Sequence, residues 1–169
     1  MKNNKTLVLN NVQIQQKLNR MAYQIYEHNF SEKSIVIAGI ADRGYILAER
    51  LSKILSEISS ISIQLAKVTV DKENPVAQPV LVSLPAKSYT NKVIVLVDDV
   101  LNSGKALIYG VAPFISVPVK RITTVVLVDR NHNRYPIKAD FVGLSLATTL
   151  QEHISVELDK NGRDAVYLL

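Results

Sequence analysis

Two adjacent carboxylates, Asp98 and Asp99, follow five consecutive apolar residues, Val93, Ile94, Val95, Leu96 and Val97. Behind them come Val100 and Leu101, then a short polar turn of Asn102, Ser103, Gly104 and Lys105, with Ala106 leading into an apolar-periodic stretch over residues 107–115. The apolar run reads as a buried strand, so the acids stand at its end, where ionised groups are costly unless they serve a ligand. The free N–H groups of such a turn, and the dipole of a helix starting there, favour an anion, above all a phosphate. Acids just upstream suit hydroxyl groups or a divalent cation. One ligand that combines these features is a phosphorylated sugar held with magnesium. Two commoner phosphate motifs do not fit. A Walker A loop needs glycine where Asp99 stands and Ser or Thr where Ala106 stands, and a dinucleotide fingerprint needs more glycines than this turn has. A strand end followed by a helix capped by Asn102 or Ser103 explains the turn, but not two acids closing an apolar run.

The elements that position these residues follow from periodicity. Leu18, Met21, Ala22, Ile25 and Tyr26 repeat at helical spacing, predicting a helix over residues 12–28 capped by Asn10 or Asn11. Residues 34–40 form a β-branched apolar run, a buried strand. Ala41, Asp42, Arg43 and Gly44 make a turn, and helical spacing then continues to about Ile58. Strands are predicted over residues 61–70, 80–84, 93–97 and 122–128, with short ones over 140–142 and 154–158 and a last edge strand over 166–169. Residues 71–78 are charged, contain Pro75 and lack periodicity, so they form a mobile loop. Strands alternating with helices predict an α/β fold: an open, mostly parallel twisted sheet with helices on both faces. Ligands of such sheets bind beyond the carboxyl ends of the strands. Three candidate loops fall there: residues 41–44, 98–105 and 129–134.

Composition narrows the class. With 169 residues, 47 % of them apolar and 21 % charged, the chain suits one soluble domain over residues 1–169. It has no apolar run of about 18 residues that could span a bilayer. Its first residues lack the apolar core of an export signal, so the expectation is a cytoplasmic protein with no membrane partner. The absence of cysteine excludes disulfides, thiol catalysis and cysteine-ligated zinc. The formal charge of +5 agrees equally with an anionic substrate, a nucleic acid or a plain solvated surface.

The stretch VIVLVDDVLNSGKA resembles the phosphoribosyl pyrophosphate (PRPP) signature of the type I phosphoribosyltransferases: an apolar run, an acid pair, an apolar pair, two small residues and a glycine. LNRMAYQIYEHN, GIADRGYILAERL, and VVLVDRNHNRYPIKADFVG followed by EHISVEL are similar to the PyrR family, over residues 18–169 with gaps. Members of that family regulate the pyrimidine operon and often have uracil phosphoribosyltransferase activity. The resemblance implies a type I phosphoribosyltransferase-like sheet with a small hood region, PRPP and a nucleobase or nucleotide as ligands, Mg2+ as cofactor, and a homodimer or higher homo-oligomer.

It also implies roles. Asp98 and Asp99 would hold the ribose hydroxyls of PRPP, directly or through magnesium. Val100, Leu101, Asn102, Ser103, Gly104, Lys105 and Ala106 would complete the PRPP site and cradle the 5′-phosphate. Ala41, Asp42, Arg43 and Gly44 would form the pyrophosphate loop, with Gly44 giving the unusual backbone it needs. Arg43 and Lys67 would join the acids in catalysis, residues 71–78 would be a flexible cover, and Asp129 and Arg130 would border the base pocket. His132, Arg134 and Lys138 would be an RNA contact.

The chain departs from the PyrR pattern. Asp42 replaces a threonine of the pyrophosphate loop, Ala106 lacks a hydroxyl, and Lys105 lacks the bidentate fork of arginine. The family's Tyr-Arg-Asp-Asp stretch is Ala66, Lys67, Val68 and Thr69 here. Each change weakens anion or magnesium handling. They favour, as the alternative to a transferase, a catalytically weak PyrR-like nucleotide sensor that binds RNA.

Overall fold

The computed structural model describes residues 5–159 and 161–169. The chain begins with β1 (Thr6–Asn10) and α1 (Asn11–Asn29), whose Asn10 cap exchanges hydrogen bonds with Gln13 in a capping box. Then come β2 (Ser34–Ile40), α2 (Ala41–Ile58), β3 (Ser62–Thr69), the short β4 (Leu81–Val82) and α3 (Ala86–Tyr89). The second half holds β5 (Val93–Leu101), α4 (Lys105–Ile115), β6 (Arg121–Asp129), β7 (Phe141–Ser145), β8 (Ile154–Glu157) and β9 (Ala165–Leu168).

Six strands form one sheet in the order β4-β3-β2-β5-β6-β7, parallel except for β4. Its central strands, apolar on both sides, bury two cores as such runs must. On one face Ile35, Ile37, Val93, Val95 and Leu127 pack under α1 and α2. On the other Val36, Ala38, Ile94, Leu96 and Val126 meet Tyr89 of α3 and Leu107 and Phe114 of α4. A separate antiparallel sheet, β1-β9-β8, lays Leu9, Val156 and Val166 onto the α1–α2 side.

Four expectations are corrected. Residues 41–44 are the first turn of α2 and not a free turn, because the helical pattern of residues 46–58 extends back to the end of β2. The strand expected to stop at Val97 runs on to Leu101, so both acids lie inside β5, held by pairing with β6. The segment 166–169 is not at an edge: β9 is the central strand of the small sheet, flanked by β8 and by β1, which was not predicted. The strand over residues 80–84 shrinks to Leu81–Val82, and α3 follows it. Helix α4 is preceded by Gly104 in the left-handed region, φ +85°.

Candidate active site

Beyond the carboxyl ends of β2, β5 and β6 lies a cleft of about 310 Å³. Its lining includes Arg43, Lys72, both acids, every residue from Val100 to Leu107, Arg130, His153 and Ile154. Asp98 and Asp99 are only 2 % and 4 % exposed. Adjacent residues of a regular strand face opposite sides, yet both carboxylates meet the same ammonium group: Lys72 Nζ lies 3.1 Å from Asp98 Oδ1 and 3.5 Å from Asp99 Oδ1. The packing shows how. Val95 and Val97 belong to the α1–α2 core and Leu96 to the other, but after the acids Val100 packs on the former side and Leu101 on the latter. The alternation reverses across the pair, and both acids turn into the cleft.

Close approach of α2 fixes the acid pair from below. A Cβ on Gly44 would stand 2.7 Å from Val97 O, 3.2 Å from Asp98 Cα and 3.3 Å from Asp98 Oδ1, so only glycine fits. Gly44 therefore serves by having no side chain; the left-handed residue of this turn is Ala41, φ +51°. Arg43, one position earlier, reaches Asp99 Oδ2 at 3.7 Å. Burial first, and the neighbouring Asp99 second, push the Asp98 carboxyl up from 3.8 to about 7 despite the opposing pull of Lys72. Burial would lower the Lys72 ammonium, but the two carboxylates raise it overall.

The turn into α4, residues 102–107, lines the same cleft. The first turn of a helix has no internal acceptors for its N–H groups, and that of α4 carries no acidic side chain. Ser103 Oγ accepts from Lys105 N at 3.3 Å, while Ser103 O accepts from the amides of Arg134 and Tyr135 at 2.8 and 3.1 Å. Ile137 packs so closely on Gly104 that a Cβ there would come within 2.8 Å of it. Loop 131–137 thus buttresses the turn.

A family model, the phosphoribosyl transferase domain, matches residues 6–161. The chain belongs to this family. It is 32 % identical to the "Bifunctional protein PyrR" of Macrococcus caseolyticus, with 97 % of this chain and 98 % of that protein covered. It is 34 % identical to the protein of the same name from Leuconostoc mesenteroides, covering 96 % and 97 %. Among solved structures, hypoxanthine phosphoribosyltransferase from Trypanosoma cruzi in complex with IMP superposes with a TM-score of 0.76 at 18 % identity, covering 98 % of this chain and 94 % of that one. This last likeness is one of fold.

Within this phosphoribosyltransferase fold the anticipated residues separate into groups. The acids, the phosphate turn, Arg43 and Arg130 share the cleft. Asp42 and Lys67 do not line it; they pair with each other, Lys67 Nζ donating to Asp42 Oδ1 at 2.7 Å. Two departures from the PyrR pattern thus meet in one ion pair, which holds the Asp42 carboxyl below its ordinary range through its hydrogen bond to Lys67. Asp129 lies off the lining and accepts from Asn131 N at 2.8 Å. Arg130 is 4 % exposed and fully engaged: Nη1 donates to Asn102 Oδ1 at 3.0 Å, Nε to Thr148 Oγ1 at 3.0 Å, and Nη2 to the carbonyls of Glu152 at 2.5 Å and Thr149 at 3.3 Å. His132 Nε2 lies 2.6 Å from Thr148 O, half-buried, whereas Arg134 and Lys138 are exposed.

Lys72, Glu73, Leu107, Val126, His153 and Ile154 line the cleft without having been given a site role individually from the sequence, the first two lying within the loop expected to cover it. Loop 71–78 was expected to be mobile; here it lies against the site, with Pro75 buried and Lys105 Nζ donating to Glu73 O at 2.8 Å. A basic residue on a loop expected to cover two acids was the available signal for Lys72.

The acid pair fits magnesium of a particular kind. No cluster of three or more His, Cys, Asp or Glu is placed to hold a metal among the described residues. Magnesium takes one or two carboxylates and completes its shell with substrate oxygens and water. Asp98 and Asp99 would supply those carboxylates for a cation that arrives with the substrate.

Proposed function

We propose that this protein transfers the phosphoribosyl group of PRPP to a ring nitrogen of a nucleobase, uracil or a related pyrimidine, and releases pyrophosphate. The observation that carries this reading is the pairing, across one cleft, of two buried acids with the first turn of α4. Asp98 and Asp99 accept the ribose hydroxyls. Amides of residues 103–107 and the Ser103 hydroxyl hold the 5′-phosphate, and Lys105 adds charge beside it. With both ends of the sugar fixed, the anomeric carbon is presented between Arg43 and the wall formed by Arg130, His153 and Ile154, where the base lies.

Transfer breaks the bond from the anomeric carbon to the pyrophosphate oxygen, which keeps the electron pair. A bond to the base nitrogen forms, and the N–H proton passes to water. The transition state resembles an oxocarbenium ion, so positioning and charge stabilisation do the work and no nucleophilic side chain is needed. Magnesium held by Asp98 and Asp99 together with the substrate would offset the charge of the departing pyrophosphate. Arg43 is the pyrophosphate-side cation within the cleft. Ala41, Asp42 and Lys67 flank it, and because Lys67 is tied to Asp42, it acts there as one half of a neutral pair. Loop 71–78 keeps water from the reacting carbon.

Arg134 and Lys138 are the exposed cations open to an RNA contact, while His132 is turned inward to Thr148. The transfer reading accounts for the buried acids and the amide cradle together, which an RNA contact does not.

The test is pyrophosphate release from PRPP and magnesium in the presence of uracil, other pyrimidines and purines. Uracil-dependent release is expected, falling on the order of 10²- to 10³-fold in Asp99→Asn with the thermal midpoint little changed. No release with any base would overturn the reading.

A further inference from the structure

All four carboxylate oxygens of the acid pair face a basic nitrogen. Lys72 Nζ lies 3.1 and 3.5 Å from the two oxygens of Asp98 and 3.5 Å from Asp99 Oδ1, and Arg43 Nη1 lies 3.7 Å from Asp99 Oδ2. A divalent cation that coordinates these oxygens therefore competes with a positive charge already beside each of them. Arg43 is on α2, fixed to the sheet by the close contact at Gly44. Arg43's side chain is the more exposed, 56 % against 41 %, but Lys72 springs from a loop instead of a packed helix and is the group free to leave.

The loop is built to present this lysine. Asp71 Oδ1 accepts from the amides of Glu73 and Asn74, both at 3.0 Å, which curls the chain tightly around Lys72. Pro75 is buried next to this curl, and Lys105 of the phosphate turn grips Glu73 O from the far side of the cleft. Two lysines thus bridge the mouth in opposite directions: one from loop to acids, one from phosphate turn to loop. Ligand binding at either half of the site competes with one of them.

We propose that Lys72 is a tethered counter-cation that fills the acid pair before substrate binds, holds residues 71–78 across the cleft, and is expelled when a divalent cation and the ribose hydroxyls take its place. The inference rests on the reading of Asp98 and Asp99 as the ribose and cation ligands and adds how access to them is controlled. It makes the acid pair a poor site for a free divalent ion while Lys72 is in place.

Manganese alone, titrated by electron paramagnetic resonance, tests the competition without turnover. Removing one cation from beside two carboxylates has an unambiguous sign, so Lys72→Met should bind Mn2+ at least about tenfold more tightly than wild type, as expected for a close charge pair at a partly buried site. Lys72→Arg, which keeps the charge, should resemble wild type. Cleavage after Glu73 by a glutamate-specific protease reports the loop. It should be slow in wild type and faster in Lys72→Met. Equal Mn2+ affinity in Lys72→Met and wild type, including none measurable in either, or cleavage indifferent to the substitution, would overturn the proposal. Pyrophosphate release separates the two readings: transfer with an indifferent Lys72 removes only this inference, and competition without transfer removes only the enzymatic one.

Discussion

Asp98 is the residue on which the chemistry and the electrostatics of the site converge. Its carboxyl is raised to about 7 by burial and by Asp99, so the folded protein holds that proton more tightly than the unfolded chain does. The stability this confers is fully present below the ordinary carboxylate value of 3.8 and is lost as the pH rises through about 7. Thermal midpoints measured between pH 5 and pH 8.5 should therefore fall more steeply for wild type than for Asp98→Asn, whose amide does not titrate. Identical slopes would show that Asp98 is not strained by burial. The ionised form is the one that accepts ribose hydroxyls, so PRPP affinity should rise across the same window. The residue types were legible in the sequence, because paired acids beside a phosphate-binding turn restrict the ligands strongly. Their partners were not. Asp42 and Lys67 read as two separate losses, since nothing in a linear sequence shows that residues on α2 and β3 face each other.

At the scale of elements, β2, α2 and β5 must approach within backbone contact for the acids to sit where they do. Gly44→Ala puts a Cβ 2.7 Å from Val97 O, and neither backbone can yield without moving Asp98. We expect a loss of about 1–3 kcal/mol in stability, as for overpacking, and a fall of roughly 10-fold or more in kcat/KM for PRPP, since small misplacements cost heavily. Denaturant melts and steady-state kinetics check the two parts, and unchanged kinetics in a folded variant would count against the role given to this contact. The sequence marked Gly44 correctly but for the wrong reason: a glycine in a polar stretch suggests an unusual φ, whereas the structure uses it for close approach. Strands β2, β5 and β6 were plain because both of their sides are apolar. Strand β1 was missed because it is exposed along much of its length and is completed only by β9, which lies at the other end of the chain.

At the scale of the molecule, the site is walled by the large sheet on one side and by the segment leading into the small sheet on the other, and Arg130 joins them. Its guanidinium links Asn102 of the phosphate turn to Thr148, Thr149 and Glu152. Arg130→Met leaves several of these groups unpaired and should cost about 3 kcal/mol, or roughly 10 °C in thermal midpoint for a domain of this size, with a larger effect on KM for PRPP than on kcat. A shift within a degree or two would show that the walls do not depend on this residue. Such a bridge is illegible in sequence, where Arg130 reads as a residue of the base pocket, because its partners are a carboxamide, a hydroxyl and two carbonyls spread over residues 102–152. The central claim is that one cleft holds both ends of a phosphoribosyl group. The most direct measurement is a crystal structure of the protein with PRPP and magnesium. The account predicts the 5′-phosphate on the amides of residues 103–107, the ribose hydroxyls or their magnesium on Asp98 and Asp99, and Lys72 withdrawn. PRPP bound away from the acids, or its 5′-phosphate away from the start of α4, would contradict it.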